Sequence, residues 1–361
     1  MSTPVPAGYP SPGAHGPATL SPLEVYWREV QPLLESRGYM LRPRYRKDWV
    51  PSWTGKQDEI FWDRAEDGIS LPLRANVIDA TRIQDNNLVY IKRVQTNSDE
   101  WTIATKFSSG ELRHDPMNHC VPILDHFLNP GKPTETFLVM PFLRYINDPD
   151  FETLEDILDC GEQILEGLVF LHDHHVAHRD CAYKNIMMDA QALFPRGFHP
   201  IYQHLLPDIA RPAPVISRIK ARVKYYFTDF GISTMFPAEQ EDRLVTGTLG
   251  QDQEVPELSD KAPYDPFKVD ICLLGNLFHD QFLRRFRNTS MLEPLIEHMR
   301  SRDPASRPSA AEALRQWKAV RRRVRKLRRL WRLQSRDDPL PLSIARDVVY
   351  PFCLLLKAFV L

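Results

Sequence analysis

The chain has 361 residues, with 46 basic and 47 acidic side chains for a formal net charge of −1, and 43% of it is hydrophobic. That length exceeds one average domain, and the apolar fraction is ample for a buried core, which sets aside a wholly disordered chain. The five cysteines, Cys120, Cys160, Cys181, Cys272 and Cys353, are odd in number and lack metal-ligand spacing, so they read as reduced thiols of an intracellular protein. No charged-then-apolar signal peptide opens the sequence, so secretion is not expected.

Residues 1–22 are rich in Pro, Gly, Ser and Ala and are expected to form a disordered lead. Residues 23–69 form an extension of different character. Leu23, Trp27, Val30 and Leu34 recur at helical spacing, and the runs Tyr39–Tyr45 and Trp49–Trp53 interleave aromatic with basic side chains. Such interleaving can stack on nucleic acid. Packing of the aromatics onto the neighbouring domain is the preferred reading, because aromatic side chains contribute heavily to cores.

Beyond the extension, Val89-Tyr90-Ile91-Lys92 reads as a buried strand ending in lysine, and the helix-like stretch Asp99–Phe107 places Ile103 and Phe107 on one face. A strand Phe137–Met140 runs into Pro141-Phe142-Leu143. The histidines His172, His174, His175 and His178 read as a helix end and the turn after it, since they lack a ligand set at fixed helical spacing. That turn continues as His178-Arg179-Asp180, followed after four residues by Asn185, and Asp229-Phe230-Gly231 comes later. The intervening 190–222, with Pro195, Pro200, Pro207, Pro212 and Pro214, reads as a surface insertion. Further on lie Val255-Pro256-Glu257, then Asp270–Gly275, then Asp303-Pro304-Ala305-Ser306-Arg307-Pro308.

In that order these segments resemble the protein kinases, whose catalytic loop reads H-R-D, four residues, N, and whose metal-binding turn reads D-F-G. The resemblance covers residues 70–318 and implies a bilobal α+β fold: a small antiparallel β lobe at 70–140 and a mainly helical large lobe at 141–318. It implies ATP and Mg²⁺ as the nucleotide and metal, and a protein hydroxyl as the phosphate acceptor. Asp180 would orient the acceptor hydroxyl, with Lys184 adding charge nearby. Asn185 and Asp229 are hard oxygen donors suited to Mg²⁺. Lys92 would hold the α- and β-phosphates with Glu100 as its ion-pair partner, Glu111 being the fallback. Met140, Pro141 and Leu143 would meet adenine, the carbonyl of Pro141 and the N–H of Leu143 doing so directly. Glu257 and Arg307 would form a buried ion pair, and Asp270 would brace the catalytic loop. Thr246 and Thr248 would be candidate phosphorylation sites, with Arg179 as partner for the new charge. The Gly-Tyr-Met-Leu-Arg-Pro-Arg-Tyr run at 38–45, the His-Arg-Asp-Cys-Ala loop and the Asn-Ile-Met-Met-Asp run at 185–189 are similar to the kinase-like proteins of mushroom-forming fungi.

The sequence also departs from that pattern. Counting back from Val77, the three glycines of the family's phosphate loop fall on Ser70, Pro72 and Ala75, and Pro72 has no N–H to donate. Tyr90 replaces the small residue above adenine, and Ala182 stands where serine/threonine kinases carry lysine. These departures motivate a second reading, a pseudokinase that acts as a binding scaffold, and a third, a small-molecule phosphotransferase.

Residues 319–361 form the tail. Between 318 and 332 lie Lys318, Arg321, Arg322, Arg323, Arg325, Lys326, Arg328, Arg329 and Arg332, and the 46 basic residues less these nine leave 37 against 47 acids. One helix carrying Val320, Val324, Leu327 and Trp331 on a single face is expected there, either folded onto the acidic body of its own domain or facing an anionic partner, a lipid surface or nucleic acid. Val348–Leu361 is apolar but interrupted by Pro351 and Lys357, so it is expected to be packed, or to be a weak peripheral anchor, rather than to span a bilayer. Oligomeric state is not legible in the sequence.

Overall fold

The computed structural model of the protein describes residues 18–54, 65–69 and 76–360. The lead up to residue 17 and the phosphate-loop positions Ser70, Pro72 and Ala75 lie outside the described residues. The architecture is α+β, with every strand pairing in its sheets antiparallel. The chain divides into two compact units.

The first unit is discontinuous, built from the chain up to Trp101, Ile123–Phe142 and Gln191–Ile216. It opens with α1 (Pro22–Ser36), whose N-terminus is closed by a reciprocal capping box between Ser21 and Glu24. After Gly38 (φ +89°) the chain turns into β1 (Tyr39–Met40), which pairs with β2 (Val77–Arg82). With β3 (Leu88–Gln95), β4 (Asp125–Leu128) and β5 (Glu135–Pro141) these form a five-stranded sheet in the order β1-β2-β3-β5-β4. Helix α2 (Asp99–Phe107) follows β3 over the span expected from its periodicity.

The aromatic extension is part of this unit's core. Trp27, Leu34, Tyr39, Leu41 and Tyr45 cluster with Ile78, Ile91, Phe127, Phe137 and Val139 of the sheet. Two of its basic residues, Arg42 and Arg44, are buried as well. Arg44 Nε donates to Glu24 at 2.8 Å, and Arg42 Nε donates to Asp79 on β2 at 2.9 Å. Arg42 also reaches the carbonyl of Ile69, and Arg44 those of Thr19 and Asp67, so each guanidinium satisfies several donors at once. The carboxyl of Glu24 is held below its ordinary value: burial pushes it up, but hydrogen bonds from Arg44 and Ser21 outweigh that.

The 190–222 stretch differs from the surface insertion expected of it. Leu193, Phe194, Phe198, His199 and Leu206 are all buried. Phe198 packs edge-on to Phe142 at 5.5 Å between centroids, and Gln191 donates to the carbonyl of Leu88 at 3.0 Å. The prolines shape a loop, but the aromatic residues between them supply a core of their own.

The second unit comprises Thr102–Pro122, Leu143–Ala190 and the chain from Ser217 onward. Strand β6 (Leu143–Tyr145) leads to α3 (Leu154–Asp173), which is capped by Thr153 and Asp156 and is buried along most of its length. Two short strands follow, β7 (Val176–Ala177) and β8 (Ile186–Asp189), then α4 (Arg218–Ala221) and β9 (Lys224–Phe227). β6, β8 and β9 make a three-stranded sheet, while β7 pairs with β10 (Thr234–Met235) and β11 (Val245–Gly247) with β12 (Ser259–Tyr264). Then come α5 (Pro266–Phe278), α6 (Glu293–Met299), α7 (Ala310–Arg323), α8 (Lys326–Arg329) and α9 (Leu340–Val360). α7 lies directly on α3. Trp317 is fully buried over Gly161, where an added Cβ would stand 2.1 Å from the indole, and its Nε1 donates to the Leu158 carbonyl at 2.9 Å.

The single basic helix expected over 318–333 is interrupted. Val324 is extended (φ −77°, ψ 121°), so α7 ends at Arg323 and α8 restarts at Lys326, and Val320, Val324, Leu327 and Trp331 do not share one helical face. Like charges at the i, i+4 pairs Arg321/Arg325 and Arg322/Lys326 oppose helix continuation, and a β-branched residue at the break favours extended backbone.

Replacing Glu24 with alanine leaves Arg44 buried without its carboxylate, and a loss of about 3–5 kcal/mol is expected. Urea denaturation of the Glu24→Ala variant beside the parent measures it, and an unchanged midpoint would show that the extension contributes nothing to the unit's stability.

Candidate active site

In the first unit, the burial pattern of β3 places Lys92 among buried neighbours, with the side chain 8% exposed. A buried ammonium needs a partner, and Lys92 Nζ is paired with the carboxylate of Glu100 in the first turn of α2. An acidic residue at that helix end is favoured by the helix dipole as well. Glu111, the fallback partner, is exposed at the N-cap of a short 3₁₀ turn. Tyr90, two residues before Lys92, stacks on Phe142 with centroids 4.2 Å apart and rings inclined by 23°. Met140 and Pro141 close β5 opposite Tyr90 and Val89; Leu143, which belongs to the second unit, opens β6 opposite Asp189.

In the second unit, a reverse turn after α3 builds the His-Arg-Asp loop. The helix ends at Asp173 with His174 as its cap and His175 in the left-handed region (φ 61°), so these histidines turn the chain. Among the described residues, no group of three or more His, Cys, Asp or Glu side chains forms a metal cage. Arg179 is also left-handed, at φ 67°, which costs an L-residue about 1–2 kcal/mol. Asp270 of α5, fully buried, holds it there. Its carboxylate accepts the backbone N–H of His178 at 2.8 Å and of Arg179 at 2.6 Å, with His172 Nε2 at 3.1 Å and Cys181 Sγ at 3.6 Å. The fully buried imidazole of His178 faces Thr228, Asp180 and Asp229. Burial pushes its pKa down, keeping it neutral. The Asp180 N–H donates to Nδ1 at 3.3 Å, so Nε2 carries the proton and donates to the Thr228 carbonyl at 3.1 Å.

The same loop brings Asp180 and Asn185 together. Asn185 Nδ2 donates to Asp180 Oδ2 at 2.8 Å and to the Asp180 carbonyl at 3.1 Å. The Asn185 carbonyl in turn accepts from Thr228 N at 2.9 Å and from Thr228 Oγ1 at 3.1 Å, which fixes the residue preceding Asp229 beside it. Asp229 is left-handed at φ 65°, a conformation that aspartate adopts more readily than most residues. Mg²⁺ takes few protein ligands and completes its shell with substrate oxygens. The donor set fits that demand: with Nδ2 committed to Asp180, Asn185 offers Oδ1, and Asp229 brings a carboxylate. Lys184 is exposed and lines a cleft of about 420 Å³ with Ala182, Tyr183, Gln251, Glu254 and Asn276.

Sequence reasoning missed Gln251. Its backbone N–H donates to Asp180 Oδ1 at 2.9 Å and its side-chain amide to Oδ2 at 3.3 Å. Gly250 makes this approach feasible: at φ +134° it adopts a backbone that side chains avoid, and an added Cβ would stand 3.4 Å from the Arg179 carbonyl. Gln253 staples the same loop by donating to the carbonyls of Thr248 and Gly250 at 2.9 and 2.8 Å. A glycine followed by an amide six residues before Glu257 was the available signal. Arg179 donates to the Thr246 carbonyl at 2.9 Å, whereas Thr248 Oγ1 donates to the Asp260 carboxylate. Glu257 and Arg307 form a two-pronged ion pair, one prong at 2.8 Å.

No protein-family profile matches the chain. It is 28% identical over 137 residues to the Serine/threonine-protein kinase oca2 of Schizosaccharomyces pombe, a match that covers 37% of this chain and 16% of that protein. It is 25% identical over 218 residues to the Nitrogen permease reactivator protein of Saccharomyces cerevisiae, covering 57% of this chain and 23% of that one. The matches thus span less than a quarter of either relative's length, and they support a distant kinase-like relationship.

Asp270→Asn keeps the volume but presents an amide donor where two backbone donors need an acceptor. The expected loss is about 1–3 kcal/mol, with faster hydrogen exchange at the amides of His178 and Arg179. Unchanged protection at those amides would show that the loop's left-handed turn does not depend on this carboxylate.

Proposed function

We propose that the chain is an ATP-dependent protein kinase that phosphorylates a protein hydroxyl. The Asp180–Asn185 pair, coupled through Thr228 to Asp229, carries this reading, because it joins a proton acceptor to two hard oxygen donors within one short network. Lys92, oriented by Glu100, would hold the α- and β-phosphates, and Met140, Pro141 and Leu143 would flank adenine. Asn185 Oδ1 and the Asp229 carboxylate would hold Mg²⁺, whose contribution when bound is to neutralise charge on the phosphate oxygens.

The acceptor oxygen would form a bond to the γ-phosphorus while the bond from that phosphorus to the β–γ bridging oxygen breaks and ADP leaves. The hydroxyl proton passes to Asp180. An incoming hydroxyl would replace the longer of the two Gln251 contacts, the amide on Oδ2, while Asn185 keeps the carboxylate oriented. Lys184, exposed in the cleft, would add positive charge near the transferred group. Of the two threonines, Thr246 suits phosphorylation better, since Arg179 is beside it, whereas phosphate on Thr248 would face the Asp260 carboxylate.

A second reading, a binding scaffold without catalysis, draws on the Tyr90 ring stacked on Phe142 and on Gln251 occupying Asp180. A small-molecule phosphotransferase is less well supported, because the Glu257–Arg307 fork belongs with a segment that docks peptides. Incubation of the purified chain with Mg²⁺-ATP and generic protein substrates, read by mass spectrometry, tests the proposal. Phosphate incorporation is expected to fall at least about 100-fold in Asp180→Asn and to be lost in Lys92→Ala. No incorporation, together with no nucleotide-induced rise in Tm, would leave the scaffold reading in its place.

A further inference from the structure

Helices at the surface of a folded domain ordinarily turn their apolar side inward. Along its described side chains α9 does the reverse. Ser343, Asp347 and Tyr350, spaced by four and three residues, face the body. Buried Arg332 donates to Ser343 Oγ at 3.1 Å and pairs with Asp347 at 2.8 Å, and the Tyr350 hydroxyl donates to the Leu330 carbonyl at 3.1 Å. On the other side Leu340, Ile344, Val348 and Phe352 recur every fourth residue and are each 62–65% exposed. Leu342 and Val349, also exposed, widen the stripe. Arg346, an exposed cation at its border, is paired with Asp338.

The segment just before α9 carries the charge. Of the nine cations between 318 and 332, four are bound to acids of the same unit: Lys318 to Glu166, Arg321 to Glu155 and Glu162, Arg329 to Glu155, and Arg332 to Asp347. The other five, Arg322, Arg323, Arg325, Lys326 and Arg328, are exposed and have no side-chain partner among the described residues. Arg323, Arg325 and Arg328 line one depression of about 790 Å³ with Val320, Val324 and Leu327, and Leu327 is 84% exposed. Tyr350 stacks edge-on to Trp331 at 5.8 Å, which fastens α9 to the end of this basic segment.

We propose that α8 and α9 form a docking surface for an anionic lipid bilayer. Five unpaired cations supply attraction to acidic headgroups, and the adjoining apolar stripe enters the boundary between headgroups and acyl chains, with α9 lying in the plane of the interface. Among the described residues, no helix is long and apolar enough to cross a membrane. A free polyanion would neutralise the arginines but leave the stripe in water. A second copy docked through the same face would set the five cations against their own kind.

The test is co-sedimentation of the full chain with vesicles of phosphatidylcholine alone and of phosphatidylcholine with 30% phosphatidylserine. Binding to the anionic vesicles only, weakened by added salt, is expected. Arg325→Ala with Arg328→Ala, both exposed, should lower the partition constant about thirtyfold. Ile344→Ser with Val348→Ser should abolish partition while leaving Tm unchanged. No binding to anionic vesicles, or equal binding to both kinds, overturns the proposal. So does a concentration-dependent dimer in sedimentation velocity that Ile344→Ser with Val348→Ser dissolves, which would assign the stripe to a second copy.

Discussion

One buried carboxylate, that of Asp270, organises the second unit. It has no solvent to turn to, so the strength of its hydrogen bonds depends on what the protein offers, and the offer is two consecutive backbone amides at 2.8 and 2.6 Å with an imidazole and a thiol around them. Those amides belong to His178 and Arg179, and accepting both forces the chain through the left-handed turn that presents Asp180. From there the constraint propagates: Asp180 N–H to His178, His178 to Thr228, and Thr228 to Asn185. The geometry of every oxygen assigned a chemical role in this unit thus descends from an anion that has none.

Charge is handled differently in the tail. The outer face of α3 carries Glu155, Asp159, Glu162 and Glu166, and α7 and α8 lay Lys318, Arg321 and Arg329 across it. Both partners are partly solvated, so each contact contributes little to stability, and the network acts mainly on register. The buried pairs of the first unit, Arg42 with Asp79 and Arg44 with Glu24, are another matter. There the guanidinium donors are satisfied by carbonyls as well, which is the condition under which a buried ion pair is tolerated.

Much of this was legible in the sequence, and unevenly so. The helix at Asp99–Phe107 follows from local periodicity, a short-range effect, whereas the pairing of Lys92 with Glu100 was expected from the resemblance to the protein kinases. The burial of the aromatic extension followed from composition, although its buried arginines could not be told from surface ones, because their carboxylate partners Glu24 and Asp79 lie 20 and 37 residues away in the chain. The expectation of one continuous basic helix failed at Val324, where like-charge repulsion along the helix outweighed the apolar spacing. The expectation of a surface insertion at 190–222 failed because prolines report backbone shape, while Leu193, Phe194 and Phe198 are buried there, Phe198 against Phe142, 56 residues earlier in the chain. Gln251 was invisible for the same reason: 71 residues separate it from Asp180.

The first unit's discontinuity bears on how the chain comes into being. Its sheet and arm are translated by residue 142, but Gln191 and Phe198, the partners of the Leu88 carbonyl and of Phe142, belong to a segment that ends only at Ile216. A ribosome delivers residues in order, at about 5–20 per second. The amino-terminal unit therefore waits several seconds, with the ring of Phe142 uncovered on the side that Phe198 will occupy, while α3 and the His-Arg-Asp loop emerge ahead of the residues that complete it. Order of synthesis and order of completion are reversed in part, and a chain stopped between residues 142 and 191 would lack its last core contributions from Phe194 and Phe198.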